Sequence, residues 1–183
     1  MRTQKIEGII LKRRNLGEAD RILTVLCKES GKIYIKAPGV RRIRSRRSSH
    51  IELLNLSKLT LYASSRSFMS IVTEAQTLED FSSIKSDLYK IGYAYYICEL
   101  INSLCVENQE NRNVFLLLRS ALSDLNQDGN ENDIVKNFEK NLLKTLGFWL
   151  EARLLETQDS RRVMERLLER KLKTVRLMPL FAS

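Results

Sequence analysis

Hydrophobic and polar positions alternate through the first eighty residues, and after Ser82 the apolar positions recur every three to four residues. "DRILTVLCKE" sets Ile22, Thr24 and Leu26 against Leu23, Val25 and Cys27, and "KIYIKA" sets Ile33 and Ile35 against Tyr34 and Lys36. Alternation of this kind predicts strands with one buried face. "KIEGIILKRR" adds a first strand rich in β-branched residues, while "IELLNLSKLTLYAS" and "FMSIVTEAQTL" supply a fourth and a fifth. "ESGK" reads as a hairpin turn because Gly31 adopts positive φ without steric cost. Pro38-Gly39 ends the third strand, and "SSRS" is a turn between the fourth and fifth. Five short strands with long turns predict a small closed antiparallel barrel of the oligonucleotide-binding (OB) type.

The second half reads differently. In "SDLYKIGYAYYICELINSLC", Leu88, Ile91, Tyr95, Cys98, Ile101 and Cys105 fall at helical spacing. "NRNVFLLLRSALSDLN" repeats the pattern and stops at the polar loop "QDGNEND". "DIVKNFEKNLLKTLGFW" follows, with Asp133 placed as its N-cap. "DSRRVMERLLERKLKTV" is a basic last helix with Asp159 or Ser160 as its cap. The fold class is therefore α+β: a β-barrel over residues 1–80 and an α-helical domain over 81–183.

Charge sharpens this picture. Residues 1–80 hold 16 Lys and Arg against 8 Asp and Glu, residues 81–160 hold 8 against 12, and residues 161–183 hold 7 against 2. Basic ends around an acidic middle predict attraction of the barrel to a polyanion. Within "APGVRRIRSRRSSHIEL", Arg41, Arg42, Arg44, Arg46 and Arg47 crowd into seven residues, with no carboxylate between Glu29 and Glu52. Arginine at all five positions suits bidentate contact with phosphate oxygens. Lys12, Arg13, Arg14 and Arg21 form a second cluster around the turn between the first two strands. Tyr34, Tyr62 and Phe68 are candidate platforms for base stacking. Tyr93, Tyr95 and Tyr96 have the spacing of core residues.

Other chemistries find little support. Cys27, Cys98 and Cys105 form no CxxC pair, the lone His50 has no metal-ligating neighbour, and neither a catalytic triad nor a glycine-rich phosphate loop is present. No metal and no cofactor are expected, and the expected function is not enzymatic. No apolar run approaches the ~20 residues of a membrane span, and the N-terminus lacks a signal-peptide core; the expected location is cytoplasmic, near the nucleoid.

A strand ending in basic residues, then "GEADRILTVL", "GKI" and a "GVR" loop leading to "IELL", resembles the N-terminal domain of the RecO family of bacterial recombination mediators. "DLYKIGYAYYICELINSL", "NVFLLLRSALSDL", "FEKNLLKTLGFW" and "ERKLKTVRLM" follow that family's order. The resemblance implies an OB barrel and a helical domain that bind single- and double-stranded DNA and anneal complementary strands. It further implies work with RecR to load RecA onto strands coated by single-stranded DNA-binding protein. DNA contacts would fall on Lys12, Arg13, Arg14, Arg21, Lys36 and the Arg41–Arg47 loop. The acidic tail of single-stranded DNA-binding protein would dock on Arg162, Arg166 and Arg170, expected four apart along one stripe of the last helix. The four-cysteine zinc site of many members is replaced here by "WLEARLLETQDSRRVMERLL", so that subdomain reads as deleted. The alternative is an RNA-binding or ribosome-associated accessory protein built on the same barrel.

Overall fold

The structure is a computed structural model that describes residues 2–63, 69–127 and 129–174. Five strands, β1 (Arg2–Leu16), β2 (Asp20–Cys27), β3 (Gly31–Ala37), β4 (Leu56–Ala63) and β5 (Ser70–Glu79), close into a barrel in the order β1-β2-β3-β5-β4. All pairings are antiparallel except β3 with β5, where Ile35 faces Ser70 and Lys36 faces Ile71. One parallel closure in an otherwise antiparallel five-stranded barrel is the OB arrangement. Ile6, Ile10, Leu23, Val25, Ile35, Leu59, Leu61 and Val72 fill its interior.

β1 serves two partners. Arg2 to Ile9 pair with β4, and Gly8 to Leu16 with β2. Between Ile10, opposite Val25, and Lys12, opposite Thr24, the register shifts by one residue. The bulge at Leu11 changes which face the following side chains take. Ile6 and Ile10 point into the core; without the bulge Lys12 and Arg14 would follow them inward. With it they point out and Arg13 takes the inward side. The β2–β3 hairpin turns as its sequence predicts, with Gly31 at φ +65°.

Among the described residues the second compact unit contains Phe81–Cys105 and the chain from Asn113 onward, while Val106–Arg112 belongs with the barrel. The division at residue 80 thus has an exception that helical periodicity could not register. The helices are α1 (Ser82–Ser86), α2 (Leu88–Leu104), α3 (Arg112–Asn126), α4 (Glu131–Thr145), α5 (Trp149–Leu154) and α6 (Ser160–Leu168). Asp87 caps α2 by accepting from the N–H groups of Tyr89 (2.8 Å) and Lys90 (3.0 Å). Val114, Phe115, Leu118, Ala121, Leu122 and Leu125 make the buried stripe of α3.

Three expectations for this half need correction. The N-cap of α4 is Asn130, which accepts from Asn132 and Asp133, so Asp133 sits inside the first turn. The buried side of α2 centres on Ala94, Ile97 and Ile101, while Leu88 is exposed and Cys105 is the C-cap. The last helix stops at Leu168, because Glu169 takes the left-handed conformation at φ 52° and its N–H closes on Arg166. Asp159 caps its start, accepting from Arg162 N–H at 3.0 Å.

Candidate nucleic-acid interface

The register places two outward rows across β1, β2 and β3. Lys12, Thr24 and Tyr34 stand side by side, and Arg14, Ile22 and Lys36 form the next row. All of these but Lys36 border a cleft of about 510 Å³ that Met69, Glu107 and Asn108 complete. Lys12, Arg14 and Tyr34 are exposed. Tyr62 lies further round the barrel, opposite Ile71, which in turn faces Lys36. Phe68 lies outside the described residues.

The arginine loop between β3 and β4 is a chain of tight turns fastened to the barrel. Gly39 N–H donates to Asp20 Oδ1 (2.8 Å), Arg41 N–H to the Ala19 carbonyl (2.9 Å), and Arg41 Nη1 to the Gly17 carbonyl (3.0 Å). These bonds bring the loop against the β1–β2 turn, so the two basic clusters of the sequence become neighbours. Val40, Ile51 and Leu54 are buried beneath it. His50 secures the far end, its Nδ1 3.0 Å from Thr77 Oγ1. Arg42, Arg44 and Arg46 border a second cleft with Asp20 and Thr73, and all three side chains are exposed. Among the described residues neither Arg44 nor Arg46 has an ion-pair partner.

The ten candidate cations therefore divide. Arg47 donates from Nη1 to the Val72 carbonyl and from Nη2 to the Pro38 carbonyl (2.7 Å), so it ties the loop to β5 rather than facing solvent. Arg13 and Arg21 sit on the inward side of the rim, opposite the core residues Leu23 and Ala37. Both turn to Glu52, whose Oε1 lies 2.5 Å from Arg13 Nη1 and 3.8 Å from Arg21 Nη1. Burial, and then the neighbouring Arg13, hold Arg21 below the ordinary guanidinium range. Lys36 pairs with Asp20 at 2.9 Å. The Gly39 N–H first, and Lys36 second, lower the Asp20 carboxyl from its usual pKa. What remains for a polyanion is Lys12, Arg14, Arg42, Arg44 and Arg46, with Arg41 partly tethered.

The helical unit holds the other candidates. Arg162 and Arg166 are exposed on α6. Arg170 lies beyond its end and pairs with Glu99 of α2 at 3.0 Å, so the three arginines do not form one stripe. Glu99 also accepts from the backbone of Lys173 (3.0 Å) and Thr174 (2.9 Å) and from Thr174 Oγ1 (2.6 Å). Burial pushes its carboxyl up, these donors pull it down further, and the net shift is downward. Tyr96 is core, as its spacing predicts, and its hydroxyl donates to the buried Glu139. Among the described residues no group of three His, Cys, Asp or Glu could hold a metal, and no helix is long and apolar enough to cross a membrane.

Kinship follows from two matches laid end to end. Residues 1–81 match the family model of the recombination protein O N terminal region, and residues 85–153 that of its C terminal region. The chain belongs to the RecO family. It is 37% identical over 147 residues to the DNA repair protein RecO of Roseiflexus sp. (strain RS-1), a match covering 80% of this chain and 51% of that protein. It is 34% identical over 145 residues to that of Acetivibrio thermocellus, covering 79% and 57%, and 29% identical over 146 residues to that of Listeria monocytogenes serotype 4b, covering 80% and 56%. The chain spans about half the length of these curated relatives.

The residues that sequence reasoning missed are Glu107 and Asn108. They come from the polar stretch "VENQENRN" in the middle of the helical half, where no periodicity or charge run distinguishes them.

Proposed function

We propose that this RecO-family chain is a DNA-binding recombination mediator that works without covalent chemistry. The observation that carries the proposal is the presence on one barrel of two clefts bordered by exposed cations, Lys12 and Arg14 beside Tyr34 in one and Arg42, Arg44 and Arg46 in the other. Such a surface offers phosphates a row of cations and one aromatic platform, which suits a single strand. Duplex DNA is held by the same cations through its backbone. Bringing two strands onto neutralising groups lowers their mutual repulsion, and annealing needs nothing more. In this reading the protein acts with RecR, and RecA loads on strands first coated by single-stranded DNA-binding protein. The acidic tail of that coating protein docks beside Arg162 and Arg166 on α6.

The test is annealing of complementary strands precoated with single-stranded DNA-binding protein. The protein should accelerate duplex formation, and Lys12→Glu/Arg14→Glu should abolish the effect without altering the melting temperature. Equal annealing with and without protein would remove the proposal. Preference for RNA over DNA of the same sequence would favour an RNA-binding accessory role instead.

A further inference from the structure

A carboxylate stands among the cations of the barrel face. Glu107 enters the cleft on a strap, residues 106–112, that runs beside β3: Lys32 and Glu107 form a parallel bridge, and Asn108 N–H donates to the Lys32 carbonyl at 2.9 Å. The strap lies directly on the barrel backbone. A Cβ placed on Gly31 would come within 1.9 Å of the Gln109 carbonyl oxygen. Backbone contacts thus fix where Glu107 begins, and Glu107 lines the same cleft as Tyr34.

A groove built for phosphate alone has no use for that group, since a phosphate entering beside Lys12 would meet Glu107 as well. The cleft combines an aromatic ring, the apolar side chains of Ile22 and Met69, a carboxylate and the Asn108 amide. A flat apolar contact with hydrogen-bonding groups at its edge is what an unstacked nucleobase requires. A carboxylate accepts from an exocyclic amino group, as on cytosine N4, and repels the carbonyl oxygen that uracil and thymine carry in its place.

We infer that the cleft between Tyr34 and Glu107 is a base pocket selecting nucleobases with an exocyclic amino group, while Lys12 and Arg14 hold the flanking phosphates. The inference rests on the reading of the barrel as a DNA surface. The test is fluorescence anisotropy of the full chain with labelled (dC)15 and (dU)15, which differ at the position Glu107 would read. Wild type should bind (dC)15 about tenfold more tightly, the worth of one charge-assisted hydrogen bond. Glu107→Gln should bind the two equally, because an amide both accepts and donates, and it should melt as wild type does because the strap is held by its backbone. Tyr34→Ala should weaken both oligonucleotides. Three results overturn the pocket while leaving DNA binding intact: equal wild-type affinities, a preference unchanged in Glu107→Gln, or a Glu107→Gln variant that gains affinity for both alike, as removal of simple repulsion would produce. Failure of wild type to bind either strand would instead overturn the DNA reading, and the pocket with it.

Discussion

Replacing Arg47 by Ala should unfasten the arginine loop, whereas replacing Arg44 and Arg46 together should leave it in place and weaken its grip on DNA. Arg47 is half-buried and donates to two carbonyls, Val72 on β5 and Pro38 at the loop's start. Hydrogen bonds from a charged donor are each worth about 1.5–3 kcal/mol, with the lower end fitting a partly solvated site. Allowing for water reaching the vacated carbonyls, the loss is about 2–3 kcal/mol. In a chain of this length that lowers the melting temperature by roughly 5–10 °C. Arg47→Lys should recover less than half of this, since an ammonium cannot span two carbonyls as a planar fork does. Arg44→Ala/Arg46→Ala removes exposed groups, so stability should shift by no more than about 0.5 kcal/mol. The salt dependence of DNA affinity should flatten by about 1.4–1.8 log units if each contacts one phosphate of a single strand or duplex. Thermal unfolding followed by circular dichroism and anisotropy at several salt concentrations read the two effects separately. An Arg47→Ala variant that melts like wild type, or an Arg44/Arg46 double variant with an unchanged salt slope, would refute the division of the loop.

Gly31→Ala should destabilise the barrel by about 2–3 kcal/mol, because it combines positive φ with collision against the strap; an unchanged unfolding midpoint would show that the strap is not seated as described. Glu52→Gln leaves Arg13 and Arg21 without a counter-charge at the rim. With Glu52 42% exposed, a cost of about 1 kcal/mol is expected in thermal unfolding. Glu99 has a lowered carboxyl pKa, so its contribution is complete above the ordinary value of 4.5 and disappears as pH falls through the lowered one. Hydrogen exchange at Lys173 and Thr174 should therefore show protection at neutral pH that fades in acid. Glu99→Gln should reduce it on the order of tenfold at pH 7; protection independent of pH would exclude the carboxylate as the anchor.

Alternation in "DRILTVLCKE" and "KIYIKA" determined that β2 and β3 exist, since side chains repeat with a period of two, but not that Leu23 to Cys27 are buried on both faces of β2. The helical period, the cap at Asp159 and the family resemblance were equally local, written in residues close together in the chain. The strongest functional signal, five arginines in seven residues, was legible as charge and misleading as geometry. Charge density says that cations are present, but which of them face water depends on acceptors far away in sequence: Val72 for Arg47, Glu52 for Arg13, Asp20 for Lys36 and Glu99 for Arg170. The bulge at Leu11 reversed the facing of Lys12 and Arg14, and a one-residue slip leaves no mark in a run as apolar as "GIIL". Glu107 reached the barrel face only because a polar segment of the helical half folds back beside β3, a pairing of Lys32 with Glu107 closed across 75 residues. Local periodicity fixes elements because their hydrogen bonds and burial repeat within a few residues. The composition of a surface is decided by long-range pairing, which only the tertiary structure supplies.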